Sequence, residues 1–390
     1  MKMEKRWAGR LLMITGWLLA TTCLHAQAQS AREIAALMAP GWNLGNTMEV
    51  PVNSLNAETA WQKTRTSREI IDFVKQQGFR SVRIPCSWHA HFDVGTTHIN
   101  DEWTARVREI VDYCINSGLY VVLNDHWDGG WLEDSFTDVS ETNVRLKSDT
   151  LRIIWTQIAE AFKDYDSHLL FAGLNEPSHS QGEFSQEMID ALLHYEQVFV
   201  NTIRSAGGNN TQRVLIVQGP NTDIDQTFNH YHKLPNDSVV DRLMVEVHYY
   251  TPWNFCGLER DESWGRMFFY WGKKNHVAKS MRNAEWGEED HMRAQLLKMK
   301  QQFTDKGVPV VFGEYGGNWH KMTGKENQKK HDTSIFAFHY TFNRLCREMG
   351  MVPMVWDINR TERPTMSVLD RENLTVFCFP AMKGIRKAYH

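Results

Sequence analysis

Two apolar runs of the chain each end in a glutamate. Residues 169–174 are followed by Asn175 and Glu176, and residues 308–312 are followed by Gly313 and Glu314. Both runs are short and bounded by turn residues, which is typical of strands buried on both faces. Parallel barrels carry their reactive groups at the carboxyl ends of such strands. Two glutamates placed in this way indicate glycoside hydrolysis by a carboxylate pair.

Other polar and aromatic side chains occupy equivalent positions, at or just beyond the C-terminal ends of predicted strands. Any one of them could serve packing or an ion pair. Their repeated placement at one rim needs another explanation, because packing does not require polar groups there. We therefore expect one site formed by Arg83, His126, Asn175, Glu176, His248, Tyr250, Glu314 and Trp356.

The elements that must position these groups alternate along the chain. Apolar runs predict eight strands, at residues 41–44, 81–85, 120–124, 169–174, 214–217, 243–247, 310–312 and 352–356. Apolar residues at a spacing of 3.6 predict the intervening helices. These helices cover about residues 67–77, 101–117, 151–162, 185–206, 290–303 and 333–349.

This alternation predicts an α/β fold, a single TIM (β/α)8 barrel with long loops on its C-terminal face. An open doubly wound sheet would usually carry a glycine-rich phosphate turn after its first strand, and no GxGxxG follows Gly45. No linker or repeat interrupts the pattern, so residues 29–390 are assigned to one catalytic barrel. The longest interval without regular structure runs from residue 249 to about 290, which predicts a functional loop.

Composition narrows the possible partners. The chain has 390 residues and a formal net charge of -4. This charge provides no overall electrostatic attraction to nucleic acid or to an anionic membrane. Its 15 tryptophans provide flat apolar faces on which sugar rings can pack. We expect a monomer whose partner is a β-linked polysaccharide or oligosaccharide.

Residues 1–28 predict a secretory signal peptide rather than part of the fold. Four basic residues stand among the first ten, residues 11–23 are mostly apolar, and Ala26-Gln27-Ala28 is a cleavage site of small residues. Lipoprotein attachment at Cys23 is the alternative, but Ala20-Thr21-Thr22 is a poor context for acylation. The predicted location is periplasmic or extracellular. No other stretch is long and apolar enough to span a bilayer.

Five cysteines remain after the predicted cleavage. Their odd number and the lack of CxxC spacing argue against a closed disulfide framework and against a zinc site, although one or two disulfides of unspecified pairing stay possible. The segment Asp125-His126-Trp127-Asp128 could suggest a metal site, but it lacks a partner with recognised ligand spacing. We expect no metal and no cofactor. The cysteines are Cys86, Cys114, Cys256, Cys346 and Cys378.

Five ordered segments resemble the signature segments of glycoside hydrolase family 5, which includes many bacterial endoglucanases. The resemblance covers essentially all of the mature chain. It implies a TIM barrel, retention of anomeric configuration and no metal, with Glu176 as the acid/base and Glu314 as the nucleophile. The segments are Gly41-Trp42-Asn43-Leu44-Gly45-Asn46-Thr47-Met48-Glu49, Val82-Arg83-Ile84-Pro85, Leu174-Asn175-Glu176-Pro177, Val247-His248-Tyr249-Tyr250 and Phe312-Gly313-Glu314-Tyr315-Gly316.

The family pattern also implies supporting roles, with one departure. Many relatives carry two consecutive histidines after the third strand, whereas this chain has His126 followed by Trp127. Of the two histidines in the family pattern, this chain has only His126. The resemblance implies that His126 and His248 support catalysis. By its chemistry, Asn175 could bind the sugar 2-hydroxyl. Arg83 and Tyr250 could donate to Glu314 and keep it ionised.

Aromatic residues near the strand-end loops predict a groove that binds a polysaccharide chain, so that cleavage is internal. Trp356 would form the floor beside the scissile bond. The alternative is that most of these rings pack loops against the barrel. The candidate substrate-binding residues are Asn46, Trp127, Trp131, Trp253, Trp319 and Trp356.

The sequence therefore predicts a secreted retaining endo-β-1,4-glucanase. Mannan, xyloglucan and mixed-linkage glucan are alternative substrates, because family 5 barrels differ in their loops. A noncatalytic polysaccharide-binding protein is a more distant alternative. Such a protein would keep aromatic platforms but would have no reason to keep both Glu176 and Glu314.

Overall fold

Eight parallel strands form a closed barrel in the computed structural model, which describes residues 29–178 and 182–390. The predicted signal peptide and Cys23 lie outside the described residues. The order around the barrel is β1-β8-β7-β6-β5-β4-β3-β2. The strands are β1 (Gly41–Asn43), β2 (Ser81–Ile84), β3 (Tyr120–Asn124), β4 (Leu169–Ala172), β5 (Leu215–Gln218), β6 (Leu243–Tyr249), β7 (Val310–Tyr315) and β8 (Val352–Val355).

Helices surround the barrel, as the alternation of elements predicts. Two antiparallel pairs of two-residue strands, Phe92–Asp93 with His98–Ile99 and Leu369–Asp370 with Thr375–Val376, lie outside it. The helices are α1 (Ala31–Met38), α2 (Arg68–Gln76), α3 (Asp101–Asn116), α4 (Glu141–Ala161), α5 (Gln186–Ser205), α6 (Ile224–His230), α7 (Trp253–Cys256), α8 (Glu289–Gln302), α9 (Lys325–Met349) and α10 (Phe379–Tyr389).

The barrel interior is filled with apolar side chains toward its N-terminal end. Along β3, Tyr120 and Val122 belong to this inner cluster, whereas Val121 and Leu123 belong to the outer layer, as strand periodicity requires. The apolar face of α1 joins the inner cluster through Ile34 and Met38. Because α1 closes that end with apolar groups, the polar interior is left to the C-terminal end.

The C-terminal face carries the long loop that the sequence predicts. This loop lies between β6 and α8 and contains the short helix α7. Next to it, the β6–β7 register shifts from Val247↔Phe312 to His248↔Glu314, so Gly313 is an extra residue in β7. Bulges of this kind re-aim side chains beside active sites. The bulge here directly precedes Glu314.

The sequence-based boundaries hold for the strands to within a few residues and fail for parts of the helices. The fourth and ninth helices begin at Glu141 and Lys325, each about eight or ten residues before the predicted start. Their first turns are polar and mostly exposed, so they show no apolar periodicity. Helices α1, α6, α7 and α10 were not predicted at all. The seven-residue α6 is too short for a periodic signal.

The described cysteines are all buried free thiols, and no disulfide joins them. A closed disulfide framework is therefore absent from the described residues, as predicted, and the one or two disulfides left open by the sequence do not form there. Among the same residues, no helix is long and apolar enough to cross a membrane.

Candidate active site

The strand ends bring the predicted polar residues together at the C-terminal mouth of the barrel. Some of these residues lie within strands, and the others follow a strand directly. This arrangement arises because all eight strands are parallel, so their carboxyl ends meet at one face. The residues are Arg83 in β2, His126 after β3, Asn175 and Glu176 after β4, His248 in β6, Tyr250 after β6, and Glu314 in β7.

Arg83 connects several of these strand ends. Its Nη1 donates to Glu314 Oε1 at 2.9 Å, and its Nη2 donates to Asn175 Oδ1 at 2.6 Å. The side chain is fully buried, and a buried guanidinium is tolerated only when its donors are paired. The Asn175 oxygen is held by Arg83, and the Asn175 side chain also hydrogen-bonds the Glu133 carboxylate, which orients the amide at the mouth.

Glu314 is held by two donors. Besides Arg83, the Tyr250 hydroxyl donates to Glu314 Oε2 at 2.9 Å, so both predicted donors contact this carboxylate. Burial raises the pKa of Glu314 above its ordinary value, while the nearby charges of His248 and Arg83 act in the opposite direction. The carboxylate is therefore fixed in position within a largely desolvated site.

Glu176 faces Glu314 across the mouth and is more accessible, with its side chain 40% exposed against 8% for Glu314. His248 Nδ1 lies 2.6 Å from Glu176 Oε1 and 3.8 Å from Glu314 Oε2. One carboxylate oxygen of each glutamate lies within 4.8 Å of the other. Retaining glycosidases place their two carboxyl groups about 5 to 5.5 Å apart and inverting enzymes about 6.5 to 9.5 Å apart, so an oxygen pair within 4.8 Å favours the shorter, retaining class.

His126 lies against the same carboxylate, with Nε2 4.0 Å from Glu314 Oε1. Burial, followed by the charges of Arg83 and His248, lowers the pKa of His126 well below its ordinary value. The ring is therefore neutral. Because the Asn124 amide nitrogen lies 3.2 Å from Nδ1 and can only donate, the imidazole proton is assigned to Nε2.

Two buried glutamates of the site were missed by the sequence analysis. Glu246, in β6, lies 2.9 Å from Arg83 Nε and 3.3 Å from His248 Nε2. Glu133, in the loop after β3, accepts the backbone N–H groups of Asn175 and Glu176 through Oε1. The sequence contained one indication that Glu246 belongs to the site. It is a charged residue within an apolar strand, and it lies on the same face of that strand as His248. No comparable sequence pattern pointed to Glu133, which lies in a loop and meets the site through the backbone N–H groups of Asn175 and Glu176 and the Asn175 side chain.

The segment that had suggested a metal site has a structural explanation. Asp128 accepts the backbone N–H groups of Trp88, His89 and Ala90, which fixes the loop after β2. Asp125 is buried beside it, and burial followed by the Asp128 charge raises the pKa of Asp125 well above its usual range. Asp128 therefore supports a loop of the site, and Asp125 is buried next to it.

A potential ligand cluster does occur elsewhere among the described residues. Glu176, His248 and Glu314 offer ligand atoms that lie within 4.8 Å of one another. His248 forms a hydrogen bond with Glu176 and an ion-pair contact with Glu314, so these three residues already contact one another within the carboxylate site.

Comparison with known families agrees with this geometry. A family model described as Cellulase (glycosyl hydrolase family 5) matches residues 45–362. The chain belongs to glycosyl hydrolase family 5. The match spans all the strand ends described above except that of β1.

Individual family 5 members are similar over nearly the whole chain. Endoglucanase A of Paenibacillus barcinonensis is 32% identical over 93% of this chain and 90% of its own length. A GH5 xyloglucan-specific β-1,4-glucanase from a ruminal metagenomic library, solved in complex with XXLG, is 43% identical with a TM-score of 0.86, covering 92% of this chain and 96% of that one. A Bacteroides ovatus GH5 xyloglucanase, solved in complex with a XXXG heptasaccharide, is 30% identical with a TM-score of 0.84, covering 93% and 77%.

The predicted aromatic residues of this family 5 protein fall into two groups. Trp127 and Trp253 are 41% and 46% exposed, and Trp356 is half-buried with its ring parallel to that of His126 at a centroid distance of 6.0 Å. Trp131 is buried and stacks on His89, and the Arg363 guanidinium lies over the ring of Trp319.

These contacts favour packing roles for Trp131 and Trp319. The Trp319 indole also donates to Asp332 Oδ1 at 2.8 Å. Asn46 is half-buried in a left-handed backbone conformation with φ 57° at the turn after β1. Its backbone N–H donates to Glu49, which fixes the turn. Trp127, Trp253 and Trp356 are therefore the predicted aromatic residues with accessible surface and no such packing contact, whereas the equally half-buried Trp319 has its ring covered by Arg363.

Proposed function

We propose that the protein is a retaining endo-β-1,4-glucanase in which Glu314 is the nucleophile and Glu176 is the acid/base. The observation that carries this proposal is the placement of one oxygen from each carboxylate within 4.8 Å of the other at the barrel mouth. The difference in their surroundings supports the assignment of roles. Glu314 is buried and held by Arg83 and Tyr250, whereas Glu176 stands more open to a leaving group and to water.

In the first step, Glu314 attacks the anomeric carbon as the bond to the leaving oxygen breaks. Glu176 gives its proton to that oxygen, and a covalent glycosyl-enzyme forms. Arg83 and Tyr250 hold the attacking carboxylate so that it meets the sugar without reorientation. The Asn175 side chain hydrogen-bonds Arg83 and Glu133, and because an amide has two N–H groups, the second can donate to the sugar 2-hydroxyl, a contact that strengthens in the transition state.

In the second step, water attacks the anomeric carbon from the side that the leaving group vacated. Glu176 takes a proton from this water, and the bond to Glu314 breaks, which restores both carboxyl groups to their starting states. Two inversions at the same carbon give net retention. His126, with its proton on Nε2, and His248 complete the polar surroundings of the two glutamates.

Product stereochemistry tests the mechanism. Purified protein should release β-anomers from a β-1,4-glucan, and proton NMR within the first minutes would detect them before mutarotation. Early α-anomers would contradict the double displacement. The same samples should lose viscosity faster than reducing ends accumulate, because an open groove cuts the chain internally. Release of small sugars in step with reducing ends would instead indicate attack at chain ends.

Xyloglucan is a second candidate substrate, favoured by the 43% identity to a xyloglucan-specific relative over 92% of this chain. Xyloglucan has a β-1,4-glucan backbone, so the same two steps apply. The deciding measurement is kcat/KM on xyloglucan, unbranched β-1,4-glucan, mixed-linkage glucan and mannan with one enzyme preparation. A preference for xyloglucan would select the second candidate, and activity on mannan alone would reject both.

We further propose that residues 1–28 direct export to the periplasm or the exterior, and that residues 29–390 act as one monomeric catalytic domain. This proposal is supported by the basic and apolar order of residues 1–28 and by the barrel, whose first strand begins at Gly41. The mass of the protein recovered from fractionated cells would locate the cleavage site. Light scattering of the cleaved protein would report a monomer or a larger assembly.

A further inference from the structure

We infer that Glu246 is a positioning residue of the catalytic centre. It contacts neither the open cleft nor, in the proposed mechanism, the sugar. Its carboxylate is fully buried, yet it is the shared partner of the two cationic side chains that touch the two proposed catalytic glutamates. The inference rests on the proposed function, because it assigns a role within the same reaction.

The contacts of Glu246 come from several barrel strands. Arg83 Nε, from β2, lies 2.9 Å from Oε1, and Gln218 Nε2, from β5, donates to Oε2 at 2.7 Å. His248, two residues further along β6, brings Nε2 to 3.3 Å from Oε1. Glu246 and His248 point to the same side because side chains alternate along a strand. The carboxylate therefore lies beneath the proposed catalytic groups and links β2, β5 and β6.

The fourth neighbour is a glycine whose position requires the absence of a side chain. A Cβ built on Gly313 of β7 would lie 1.7 Å from Glu246 Oε1, so any side chain at this position would displace the carboxylate. The backbone of Gly313 does not have a positive φ, so conformational freedom does not explain this glycine. The space that the Glu246 carboxylate occupies explains why a glycine stands at this position. Gly313, which directly precedes Glu314, therefore leaves room for the buried Glu246 carboxylate on the neighbouring strand β6.

Glu246 reaches both catalytic glutamates through one intermediate each. Arg83 uses Nε for Glu246 and Nη1 for Glu314, so the guanidinium is held at two edges. His248 uses Nε2 for Glu246 and Nδ1 for Glu176. An imidazole that faces a carboxylate with each nitrogen donates from both only in its protonated form.

The electrostatics agree with this arrangement. Burial alone would lower the pKa of His248, but the Glu314 charge and the hydrogen bonds to Glu176 and Glu246 raise it to about 10. Burial would raise the pKa of Glu246, but Arg83, His248 and Gln218 outweigh it and lower the pKa. Glu246 and His248 thus form an ion pair at neutral pH in the free enzyme, where Glu176 faces an N–H donor.

The central test is Glu246→Gln, which keeps the shape of the side chain and removes its charge. We expect kcat/KM to fall about 100-fold, the loss that a displacement of about 1 Å in a catalytic group causes. We also expect both limbs of the pH profile of kcat/KM to move to lower pH by about one unit, because a buried negative charge no longer opposes ionisation of the neighbouring carboxyls. Arg83, His248, Glu176, Glu314 and Tyr250 are the charged or titratable groups that face this change.

Glu246→Asp and Gly313→Ala are the matched controls. The aspartate keeps the charge, so its pH limbs should stay close to those of the wild type even if its kcat/KM falls. The Gly313→Ala methyl displaces the Glu246 carboxylate without removing its charge, so it should lower kcat/KM with little movement of the limbs. Equal pH profiles in Glu246→Gln and Glu246→Asp, or wild-type kcat/KM in Glu246→Gln, would overturn the inference.

A measurement on the wild type keeps the inference testable even if the variants fail to fold. Histidine labelled with 15N should show both ring nitrogens of His248 protonated at about pH 8, since its pKa is raised to about 10. The signal is assigned by its absence from a His248→Asn sample. A neutral His248 ring at that pH would overturn the inference. This result does not depend on turnover, so it separates failure of the inference from failure of the proposed glucanase activity.

Discussion

The centre of the C-terminal mouth and the aromatic rim around it are held in different ways. At the centre, Arg83, Glu246, His248 and Glu314 are at most 8% exposed, and contacts of 3.3 Å or less connect them in series. At the rim, indole rings of the loops remain 41% to 64% exposed, as seen for Trp127, Trp253 and Trp264. The centre comes from strands and the rim from loops.

This difference separates bond cleavage from substrate choice. A displaced group at the centre disturbs several charged partners, because each buried charge depends on its neighbours. A changed ring at the rim disturbs little besides the sugar that would pack on it. We therefore expect large, shared effects from substitutions at the centre and smaller, substrate-dependent effects at the rim.

The largest expected effect is loss of a catalytic carboxylate. Glu314→Ala should lower kcat by about 10⁴-fold or more on all substrates, as removal of a nucleophile does in other covalent mechanisms. Glu176→Ala should stay relatively active on aryl glycosides with good leaving groups, because these need no proton. Azide should rescue Glu176→Ala with β-configured product and Glu314→Ala with inverted product.

The exposed Glu372→Ala serves as the control and should match the wild type. The opposite pattern of azide products would exchange the roles of Glu176 and Glu314. Full activity of either glutamate variant on a polysaccharide would reject the carboxylate pair.

A second large effect concerns stability next to the centre, at a buried loop glutamate that accepts the backbone N–H groups of Asn175 and Glu176. Burial, followed by the Glu176 charge, raises the pKa of Glu133 to about 8, so the folded protein keeps a proton that the unfolded chain loses near pH 4.3. This stabilisation is complete below the unfolded pKa and is lost as the pH rises through about 8. Relative to Glu133→Gln, the wild-type free energy of unfolding should fall by up to about 1.4 kcal/mol per pH unit across that window.

Urea unfolding at several pH values between about 5 and 8 measures this difference. The glutamine keeps an oxygen that can accept from Asn175 and Glu176, so both proteins should fold. Parallel stability curves for the two proteins would show that Glu133 has an ordinary pKa, and the contrast between centre and rim would weaken.

An intermediate effect distinguishes two tryptophans. Trp356→Ala should lower kcat/KM on oligosaccharides about 10- to 100-fold, the loss of about 1.4 to 2.8 kcal/mol of contact with the sugar. Trp319→Ala is the matched control, because its ring is held by Arg363 and Asp332. It should lower the melting temperature and leave kcat/KM nearly unchanged. The reverse result would place the sugar platform at Trp319.

The smallest expected effect is that of metal removal. The proposed carboxylate mechanism needs no metal, so EDTA should leave kcat/KM unchanged within error although Glu176, His248 and Glu314 offer close ligand atoms. Glycosidase activity is read before and after dialysis against the chelator. Loss of activity that only a divalent cation restores would turn this cluster into a metal site.

The sequence alone was sufficient for the barrel and for most of its polar mouth. Apolar runs at regular intervals fixed the number and order of the strands, and parallel strands must end at one face, which brought Arg83, His248 and Glu314 together. The exposed first turns of α4 and α9 could not be found, because apolar periodicity marks only the buried part of a helix.

The tertiary structure alone decided how the charges of the site are shared. Glu246 meets Arg83, Gln218 and the space left by Gly313 from three other strands, and no spacing along the chain records contacts that close only when the barrel does. Glu133 acts through the backbone of Asn175 and Glu176, which any residue types could present. Residue type and order specify which groups are available, whereas their pairing and pKa depend on burial and on distances between strands.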